Sequence, residues 1–457
     1  MGKETIIKRI RQGLAAFIPK PAGNAGSITG TRLGKFFSKA RSISADKVLW
    51  IWALLMVAGF FLFRLLSGNL PGMATTLVFA QYWENQLESQ TLTKLAAEFE
   101  EQNPGIVIKL ETMSWDDIRL SLEGKEKPGD DSGRRSSQPP DIFSIDPYGL
   151  YAITPYLTAG GEESNVLALI SFINPLFYNI DLLQAAGFDR PPKNQTELLS
   201  YVQRINQTAG AGQTGSVYGA GIALGGGDPR LSSKEEPHNV SRHLLSWIWS
   251  AAGNSETGSF NFTTPEVVTA LNFLNQLKQY LYPNPFALTQ TELLRAFGEG
   301  RVGMMIGSSA DIRELKTKGV NFGITTIPGP ESYTKRPVFP LTVWYAGING
   351  KSEYQEAARK FLDFLRERAG NLAAAAYAVP GNGRRSRDMS KNDLFYAKAF
   401  DMYEAGEMAR ELYDKPGVTE LNSIIRREVE LMFNGTKTPQ QCAEAIQQDW
   451  EEVRLSS

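Results

Sequence analysis

The sequence predicts an α/β protein that follows a single membrane-spanning helix, and three observations support this fold class. Hydrophobic residues make up 42% and charged residues 21% of the 457 residues, which suits a large folded core and excludes global disorder. From residue 76 onward, β-rich apolar runs alternate with segments of helical periodicity, as they do in α/β folds. Ahead of them, residues 48–66 form one continuous apolar run.

The N-terminal part of the chain indicates a membrane anchor with a basic tail. Residues 1–47 carry ten Lys and Arg against two acidic residues, a balance of 10 − 2 = +8, so the rest of the chain carries −1 − 8 = −9. Residues 48–66, interrupted only by Arg64, would span about 28 Å as a helix, which is close to the thickness of a bilayer core. The positive-inside rule places residues 1–47 in the cytoplasm and the large acidic part outside. A single-pass, uncleaved anchor is the favoured interpretation, and a cleaved signal peptide is the alternative.

The remaining elements are predicted from periodicity and turn residues. Residues 67–75 form a short linker, residues 76–83 and 106–110 form strands, and residues 87–102 form a helix between them. Residues 124–139 are a predicted loop, and a further strand opens at residue 140. The other predictions are helices at 195–208, 265–281, 290–298, 352–368, 391–411, 418–434 and 438–454, and strands at 302–306 and 322–327.

No constellation of catalytic residues is recognisable. The sequence lacks G-x-x-x-x-G-K-S/T, H-E-x-x-H and G-x-S-x-G motifs, so no enzymatic activity and no catalytic residue is predicted. With one cysteine, Cys442, and two histidines, His238 and His243, no metal site is expected. No cofactor and no nucleic-acid partner are expected either. Cys442 is predicted to be a packed thiol on the apolar face of a helix.

Aromatic residues near predicted strand ends are the candidates for a ligand site. Sugar rings have apolar faces that stack on aromatic planes, while carboxylates accept hydrogen bonds from the hydroxyl groups. Ligands of open α/β sheets bind outside the carboxyl ends of the strands. For each aromatic residue taken alone, a place in the core is an equally good interpretation. The predicted ligand-binding residues are Trp83, Asp146, Tyr148, Trp247, Trp249 and Trp344.

The roles of Trp247 and Trp249 depend on the local secondary structure. In a strand both side chains would share one face, whereas in a helix they would lie roughly 200° apart. A helix is favoured, because the segment HLLSWIWSAAG contains no turn signal before its glycine. One of the two is therefore predicted to contact ligand and the other to lie in the core.

Several stretches, in order along the chain, carry a resemblance to a known family. They are residues 140–148 (PDIFSIDPY), 176–199 (LFYNIDLLQAAGFDRPPKNQTELL), 297–306 (FGEGRVGMMI), 321–330 (NFGITTIPGP), 345–365 and 434–450. Together they resemble the family 1 extracellular solute-binding proteins of bacterial ABC importers, which are similar to maltose-binding protein. The chain departs from the family pattern in its membrane anchor, in its short segment 148–176, and in Ser308-Ser309, where many members have Gly-Trp.

The resemblance implies two α/β lobes that hold a small polar ligand, most simply a sugar, between them. It places lobe I at residues 76–176 and 327–346 and lobe II at residues 177–326 and 347–457. The implied function is capture of the ligand outside the membrane and delivery to ABC permease subunits.

Two other functions remain open at this stage. One is a membrane-anchored sensor or receptor with the same binding fold, although the cytoplasmic tail contains no kinase or diguanylate-type motif. Genes for two permeases beside this one would favour the importer. The other is a carbohydrate-active enzyme, against which the lack of a recognisable acid/base pair argues.

Overall fold

The computed structural model of the protein describes most of the chain beyond residue 73. The described residues are 52, 56, 59, 74–83, 87, 90–125, 139–145, 153–157, 166–208, 216–225, 240–253, 261–381, 391–409 and 417–456. The chain divides into two units, residues 1–72 and residues 73–457.

The first unit contains the predicted membrane anchor, most of which lies outside the described residues. Of residues 48–66, only Trp52, Met56 and Gly59 are described, and all three are helical. Trp52 is 64% exposed and Met56 is 72% exposed. A helix long and apolar enough to cross a bilayer is not found within the described residues. The predicted basic tail, residues 1–47, also lies outside them.

The second unit alternates strands and helices along most of its length. The described strands are, in chain order, β1 (Thr75–Gln81), β2 (Ile106–Thr112), β3 (Ile142–Ile145), β4 (Val166–Ile173), β5 (Leu176–Asn179), β6 (Tyr218–Gly221), β7 (Val302–Ile306), β8 (Phe322–Thr325), β9 (Val338–Ile348), β10 (Val379–Pro380) and β11 (Glu407–Ala409). The described α-helices are α1 (Thr91–Gln102), α2 (Trp115–Glu123), α3 (Ile180–Ala185), α4 (Gln195–Thr208), α5 (Ser246–Ala252), α6 (Pro265–Leu277), α7 (Gln290–Gly298), α8 (Asp311–Thr317), α9 (Gln355–Glu367), α10 (Ala369–Ala376), α11 (Leu394–Ala405), α12 (Val418–Phe433) and α13 (Pro439–Ser456).

The strands form two sheets. The larger sheet has the order β10-β4-β9-β3-β1-β2, with β11 paired to β9. Its strands β2, β1 and β3 are parallel, and β9 runs antiparallel to both β3 and β4. The smaller sheet has the order β6-β7-β5-β8, in which β6 and β7 are parallel. Two sheets within one α/β unit provide the architecture that a two-lobed binding protein requires.

The larger sheet has one hydrophobic core of its own and shares another with the smaller sheet, because Ile173 of β4 and Leu341 of β9 lie in the same cluster as Met305 of β7. Helices α1, α2, α9 and α10 supply apolar side chains to the core of the larger sheet. The smaller sheet is covered on both faces. Successive side chains of a strand point to opposite sides of the sheet, and here they enter two different cores. Met304 faces the core shared with α4, α5, α6, α12 and α13, whereas its neighbour Met305 faces the core shared with α7, α8 and α11.

The segment that carries the strongest family resemblance begins as strand β5 and continues through α3 into α4. The side chain of Asn179 caps α3 by accepting a hydrogen bond from the N–H of Leu182 at 3.0 Å. The side chain of Asn194 likewise accepts from the N–H of Glu197 at 2.8 Å, at the start of α4. Arg190 forms two hydrogen bonds to the Glu197 carboxylate, of 2.7 and 3.0 Å, which holds the connection between the helices.

The predicted elements agree with the structure in type, and they differ in extent. The predicted helices at 195–208 and 290–298 and the strand at 302–306 have the observed bounds. The helix predicted at 265–281 ends at Leu277, because a short 3₁₀ turn, Lys278–Tyr280, follows it. The helix predicted at 391–411 is shorter, and spans Leu394–Ala405. Strands β4 and β9, which lie in the middle of the larger sheet, were not predicted.

Candidate functional site

The candidate site lies where the parallel strands of the larger sheet end. Because β2, β1 and β3 are parallel, their carboxyl ends meet at one edge of the sheet. We call this the carboxyl edge, and define it by Gln81, Tyr82 and Trp83 at the end of β1, Thr112 at the end of β2, and Ile145 at the end of β3.

Hydrogen bonds fix the backbone at the carboxyl edge. The side-chain amide of Gln81 donates to Oγ1 of Thr112 at 3.1 Å, and its Oε1 accepts from the backbone N–H of Trp83 at 2.7 Å. The hydroxyl of Tyr82 donates to the carbonyl oxygen of Ile145 at 3.1 Å. Since Ile145 directly precedes Asp146, Tyr82 holds the point from which the predicted ligand loop departs. Sequence reasoning did not select Gln81 and Tyr82 as site residues, although they are the two residues before Trp83.

The structure brings two of the predicted residues, Trp83 and Trp344, into contact. Their rings are stacked, with centroids 5.0 Å apart and planes 4° apart. The rings of Phe79 and Trp83 pack edge to face with centroids 5.8 Å apart, and the rings of Phe172 and Trp344 do so with centroids 4.9 Å apart. Trp83 is 0% exposed and Trp344 is 2% exposed, so in this conformation the two rings pack on each other and on the core.

Two polar atoms on these strands are buried without a hydrogen-bond partner in the described structure. They are Nε1 of Trp83 and Oγ of Ser144 in β3. A buried polar group without a partner costs about 1–3 kcal/mol, so native proteins leave few of them unsatisfied. The same holds for other buried atoms of the described residues, such as Nε1 of Trp247 and Nε1 of Trp450, so a missing partner does not by itself mark a ligand site.

Trp247 and Trp249 lie on helix α5, so the prediction of a helix rather than a strand is confirmed. Both side chains are buried in the core of the smaller sheet. The ring of Trp247 packs at 46° on Phe273 of α6, with centroids 5.0 Å apart. The structure thus keeps this pair in a different core from Trp83 and Trp344. The prediction that one of the two contacts ligand stays a prediction.

Asp146 and Tyr148, the two remaining predicted ligand residues, lie outside the described residues. Their role stays a prediction. The described chain reaches Ile145, whose carbonyl oxygen is fixed by Tyr82.

The start of strand β3 has a structural role. Asp141 accepts a hydrogen bond from the N–H of Val78 at 2.9 Å and another from the hydroxyl of Ser352 at 2.5 Å. Asn349 donates from its side chain to the carbonyl oxygen of Pro140 at 2.9 Å. These bonds tie the amino end of β3 to β1 and to the segment after β9.

A cavity of about 670 Å³ lies between the end of α5, the start of α6 and the segment 330–335. Its lining includes Gly253, Thr264, Tyr333 and Lys335. Of the predicted ligand residues that the structure describes, Trp83, Trp247, Trp249 and Trp344, none lines it. Much of its lining is exposed to solvent, which is typical of a surface depression rather than of an enclosed site.

Two buried titratable side chains are held in their neutral forms. Burial lowers the pKa of His243 to about 3, and its Nε2 lies 2.7 Å from Oε1 of Gln290. Burial raises the pKa of the Cys442 thiol to about 12. Cys442 is packed in the core with Ala443 and Ile446, as its sequence context predicted. Among the described residues, no group of three or more His, Cys, Asp or Glu side chains is placed to hold a metal ion.

Comparison with known proteins identifies the family to which the chain belongs. Residues 83–371 match the family described as bacterial extracellular solute-binding protein, and this match covers more than half of the chain. The chain therefore belongs to the bacterial extracellular solute-binding proteins.

Individual relatives are more distant. A putative ABC transporter periplasmic-binding protein of Escherichia coli, YcjN, is 26% identical over 333 residues, which is 67% of this chain and 72% of the relative. A putative binding protein of Brucella abortus is 25% identical over 288 residues, 58% of this chain, and the chain covers 66% of that relative's length. The maltose-bound MalE3 of T. maritima is a solved structure with 18% identity and a TM-score of 0.63, over 84% of this chain and 100% of that one. This last similarity shows the two-lobed α/β fold.

Proposed function

We propose that the protein is the extracytoplasmic binding component of an ABC importer, and that it captures a carbohydrate between two lobes for delivery to permease subunits. Membership of the solute-binding family carries the proposal. The Escherichia coli relative, described as a putative ABC transporter periplasmic-binding protein, supports the importer role. The maltose in the structure of MalE3 supports a carbohydrate as the ligand class.

The two lobes of this proposal are built around the two sheets. The boundaries predicted from the sequence, 76–176 with 327–346 for lobe I and 177–326 with 347–457 for lobe II, remain a proposal. Packing favours one revision of them. Helices α9 and α10 share the hydrophobic core of the larger sheet, so they belong more naturally with lobe I.

The ligand would bind at the carboxyl edge of lobe I. Tyr82 fixes the start of the segment that contains Asp146 and Tyr148, and Trp83 presents a buried indole N–H without a protein partner in the described structure. In this proposal Asp146 accepts charge-assisted hydrogen bonds from sugar hydroxyl groups, and Tyr148 stacks on a ring. The stacked Trp83 and Trp344 then act beneath the ligand as a rigid support.

A membrane tether is the second part of the proposal. The apolar length of residues 48–66 and the excess of positive charge in residues 1–47 support it. The exposure of the large apolar side chains of Trp52 and Met56 on a helix also suits contact with lipid. Protease added to intact cells should release the large domain and leave a small membrane-bound fragment. A mature protein that begins near residues 68–80 would show instead that the segment is cleaved.

The ligand class can be tested with a thermal-shift screen of the purified chain against mono-, di- and oligosaccharides, with amino acids and phosphate esters as comparison sets. A ligand present at a hundredfold over its Kd should stabilise the protein by about 2.7 kcal/mol. Stabilisation by at least one carbohydrate, and by none of the comparison compounds, is the expected result. Stabilisation by an amino acid or a phosphate ester alone would overturn the carbohydrate assignment.

A further inference from the structure

Two buried polar side chains beside the smaller sheet pair with each other and leave part of their hydrogen-bonding capacity unused. Nε2 of His243 lies 2.7 Å from Oε1 of Gln290. Nδ1 of His243 and Nε2 of Gln290 are both buried without a hydrogen-bond partner in the described structure. His243 is 0% exposed and Gln290 is 9% exposed, so Gln290 lies nearer to solvent. We call these two residues the His243–Gln290 pair.

The pair keeps one free donor and one free acceptor. Burial lowers the pKa of His243 to about 3, so the ring carries a single hydrogen near neutral pH. Because Oε1 of Gln290 can only accept, Nε2 of His243 donates, which leaves Nδ1 as an acceptor and the amide N–H groups as donors. With the amide turned over, Nδ1 would carry the hydrogen and Oε1 would be the free acceptor. Both orientations of the amide therefore give the same result.

The main chain at His243 has an uncommon conformation. Ser241–Leu245 form a π-helix that leads directly into α5. Such π-helical turns are rare and are frequently found at functional sites. A missing partner alone would not distinguish the pair from Trp247 or Trp450, whose indole nitrogens are also unpartnered. Here it coincides with a π-helix and with a second side chain of the same kind at hydrogen-bonding distance.

Gln290 places the pair on the carboxyl side of the smaller sheet. It is the first residue of α7, and the chain just before α7 is fixed to the residues that follow β6. The N–H of Leu224 donates to the carbonyl oxygen of Pro285 at 2.7 Å, and the N–H of Gly225 donates to that of Leu288 at 2.9 Å. Both donors lie beyond the carboxyl end of β6, so α7 begins on that side of the sheet.

Carboxyl ends of strands from both sheets meet on this side. Strand β4 runs in the same direction as β3, because both are antiparallel to β9. Its last residue, Ile173, accepts a hydrogen bond of 2.9 Å from the N–H of Ser309, which follows the carboxyl end of β7. Strands β6 and β7 are parallel, so their carboxyl ends share one edge. Ligands of α/β sheets bind outside such ends, so the pair lies where a ligand is expected.

We propose that the His243–Gln290 pair binds a neutral hydroxyl group of the ligand and forms the part of the ligand site contributed by the smaller sheet. The inference rests on the proposed function and names the chemistry that the second lobe would recognise. A hydroxyl group both donates and accepts, so it satisfies the free acceptor and the free donor of the pair together. A carboxylate only accepts and an ammonium group only donates, so each would leave one of the two unsatisfied.

A phosphate group is the alternative ligand chemistry at this place. Arg242, the neighbour of His243, is positively charged, and its Nε is also buried without a partner in the described structure. Ionised phosphate oxygens would bind the guanidinium group, but they cannot donate to the free acceptor of the pair. The test therefore includes inorganic phosphate beside two neutral polyhydroxyl compounds, maltose and ribitol.

Nitrogen NMR of the full chain labelled with ¹⁵N-histidine tests the pair directly. The sequence contains two histidines, and His243→Gln assigns the signals of His243. Addition of maltose or ribitol should change Nδ1 from the signal of a free nitrogen to that of a hydrogen-bonded nitrogen. A signal that neither compound changes, or one that already shows a hydrogen bond to water, would overturn the inference. A signal that phosphate alone changes would overturn the assignment of a neutral hydroxyl group.

The double variant His243→Phe with Gln290→Met tests the same contact through affinity. Replacing both partners by apolar side chains of similar size removes their mutual bond and the unsatisfied atoms together, so the fold should be retained. The Kd for maltose or ribitol, measured by calorimetric titration, should rise by roughly tenfold. A Kd within about twofold of the wild-type value would count against the pair.

Gln355→Met provides the matched control. Gln355 is likewise the first residue of its helix, α9, but its amide donates to the carbonyl oxygen of Asn349 at 2.8 Å. Asn349 in turn bonds Pro140, just before the amino end of β3, so this glutamine lies at the opposite end of that strand from the proposed site. The control should lower the Tm and change the Kd by less than about twofold.

Two results separate this inference from the proposed function. Binding of maltose or ribitol with an unchanged Nδ1 signal and an unchanged Kd in the double variant would overturn the role of the pair and leave the proposed function in place. Absence of stabilisation by every carbohydrate in the thermal-shift screen would count against the proposed function itself, and an unchanged Nδ1 signal would then overturn the pair as well.

Discussion

The two ends of strand β3 differ in how their polar groups are satisfied. At the amino end, Asp141 accepts hydrogen bonds from Val78 and Ser352. Toward the carboxyl end, Oγ of Ser144 has no partner in the described structure, although Ser144 is fully buried. Nε1 of Trp83, beside the end of β1, is in the same situation.

Under the proposed function, the amino end of β3 serves stability and the carboxyl end serves binding. A polar group with internal partners contributes to folding, whereas a buried polar group without one is destabilising until something binds it. Ligands of α/β sheets bind outside the carboxyl ends of strands, for which this arrangement is suited. Asp141 should accordingly stabilise the fold, and Asp146, five positions later in the sequence, should bind ligand.

The largest expected effect concerns the aromatic pair beneath the carboxyl edge. Trp344→Ala removes a buried ring that stacks on Trp83, and should lower the free energy of unfolding by about 3–5 kcal/mol. Urea denaturation of the purified chain measures this change. Trp344→Phe, which keeps an aromatic ring, should lose clearly less. If both variants lose the same free energy of unfolding, stacking on Trp83 is not what stabilises the protein at this position.

The next effect concerns the amino end. Asp141→Ala leaves the N–H of Val78 and the hydroxyl of Ser352 without their acceptor, and should lower the free energy of unfolding by about 2–3 kcal/mol. Asp363→Ala serves as the control, because its carboxylate is half exposed and pairs with Arg366 on the surface of α9. The control should change stability by about 0.5 kcal/mol or less. A similarly small change in the free energy of unfolding of Asp141→Ala would contradict a stabilising role for the amino end of β3.

A buried group in the short helical segment Ser241–Leu245, directly before α5, extends the comparison to pH. The pKa of His243 is lowered to about 3 in the folded protein, against about 6.5 in the unfolded chain. Above pH 6.5 both states are neutral, so the stability is fully present; as pH falls toward 3, only the unfolded state binds the proton, and stability is lost. The loss should be about 2 kcal/mol between pH 6.5 and 5. Denaturation at several pH values should show a shallower dependence for His243→Gln, and an unchanged dependence would contradict the assignment.

The smallest effect compares two serines: Ser352, which follows β9 and bonds Asp141 at the amino end of β3, and Ser144, which lies within β3. Ser352→Ala removes a hydrogen bond to Asp141, and should cost about 1 kcal/mol. Ser144→Ala removes a buried hydroxyl that has no partner in the described structure, so it should be neutral or slightly stabilising. The two variants have the same chemistry and differ only in position. If urea denaturation shows equal destabilisation by both variants, the hydrogen bond to Asp141 does not distinguish the two serines.

The sequence was sufficient for the general fold, because alternating strand and helix patterns are local. It missed β9 for a physical reason: this strand is buried at most positions and contains Pro340, so it shows neither a two-residue alternation nor a helical period. It also missed β4, whose apolar run, VLALISFI, does not distinguish a buried strand from a helix.

The site was predictable in part. Trp83 could be selected as an aromatic residue at a strand end, whereas Trp344 lies within β9, and the stacking of one ring on the other depends on the register of that strand. The hydrogen bond of Tyr82 to Ile145 likewise joins residues of different strands. Pairings of this kind are set by tertiary structure and leave no local pattern in the sequence.

The central claim is that the carboxyl end of β3 binds ligand while its amino end stabilises the fold. Asp146→Asn and Asp141→Asn test it as a pair, by calorimetric titration with the carbohydrate that gives the largest thermal shift and by thermal unfolding. Asp146→Asn should weaken binding by about tenfold with an unchanged Tm, because charge-assisted bonds to hydroxyl groups are lost. Asp141→Asn should lower the Tm with an unchanged Kd, because an amide group would oppose one of the two donors on Asp141. Unchanged affinity in Asp146→Asn together with weakened binding in Asp141→Asn would contradict the account.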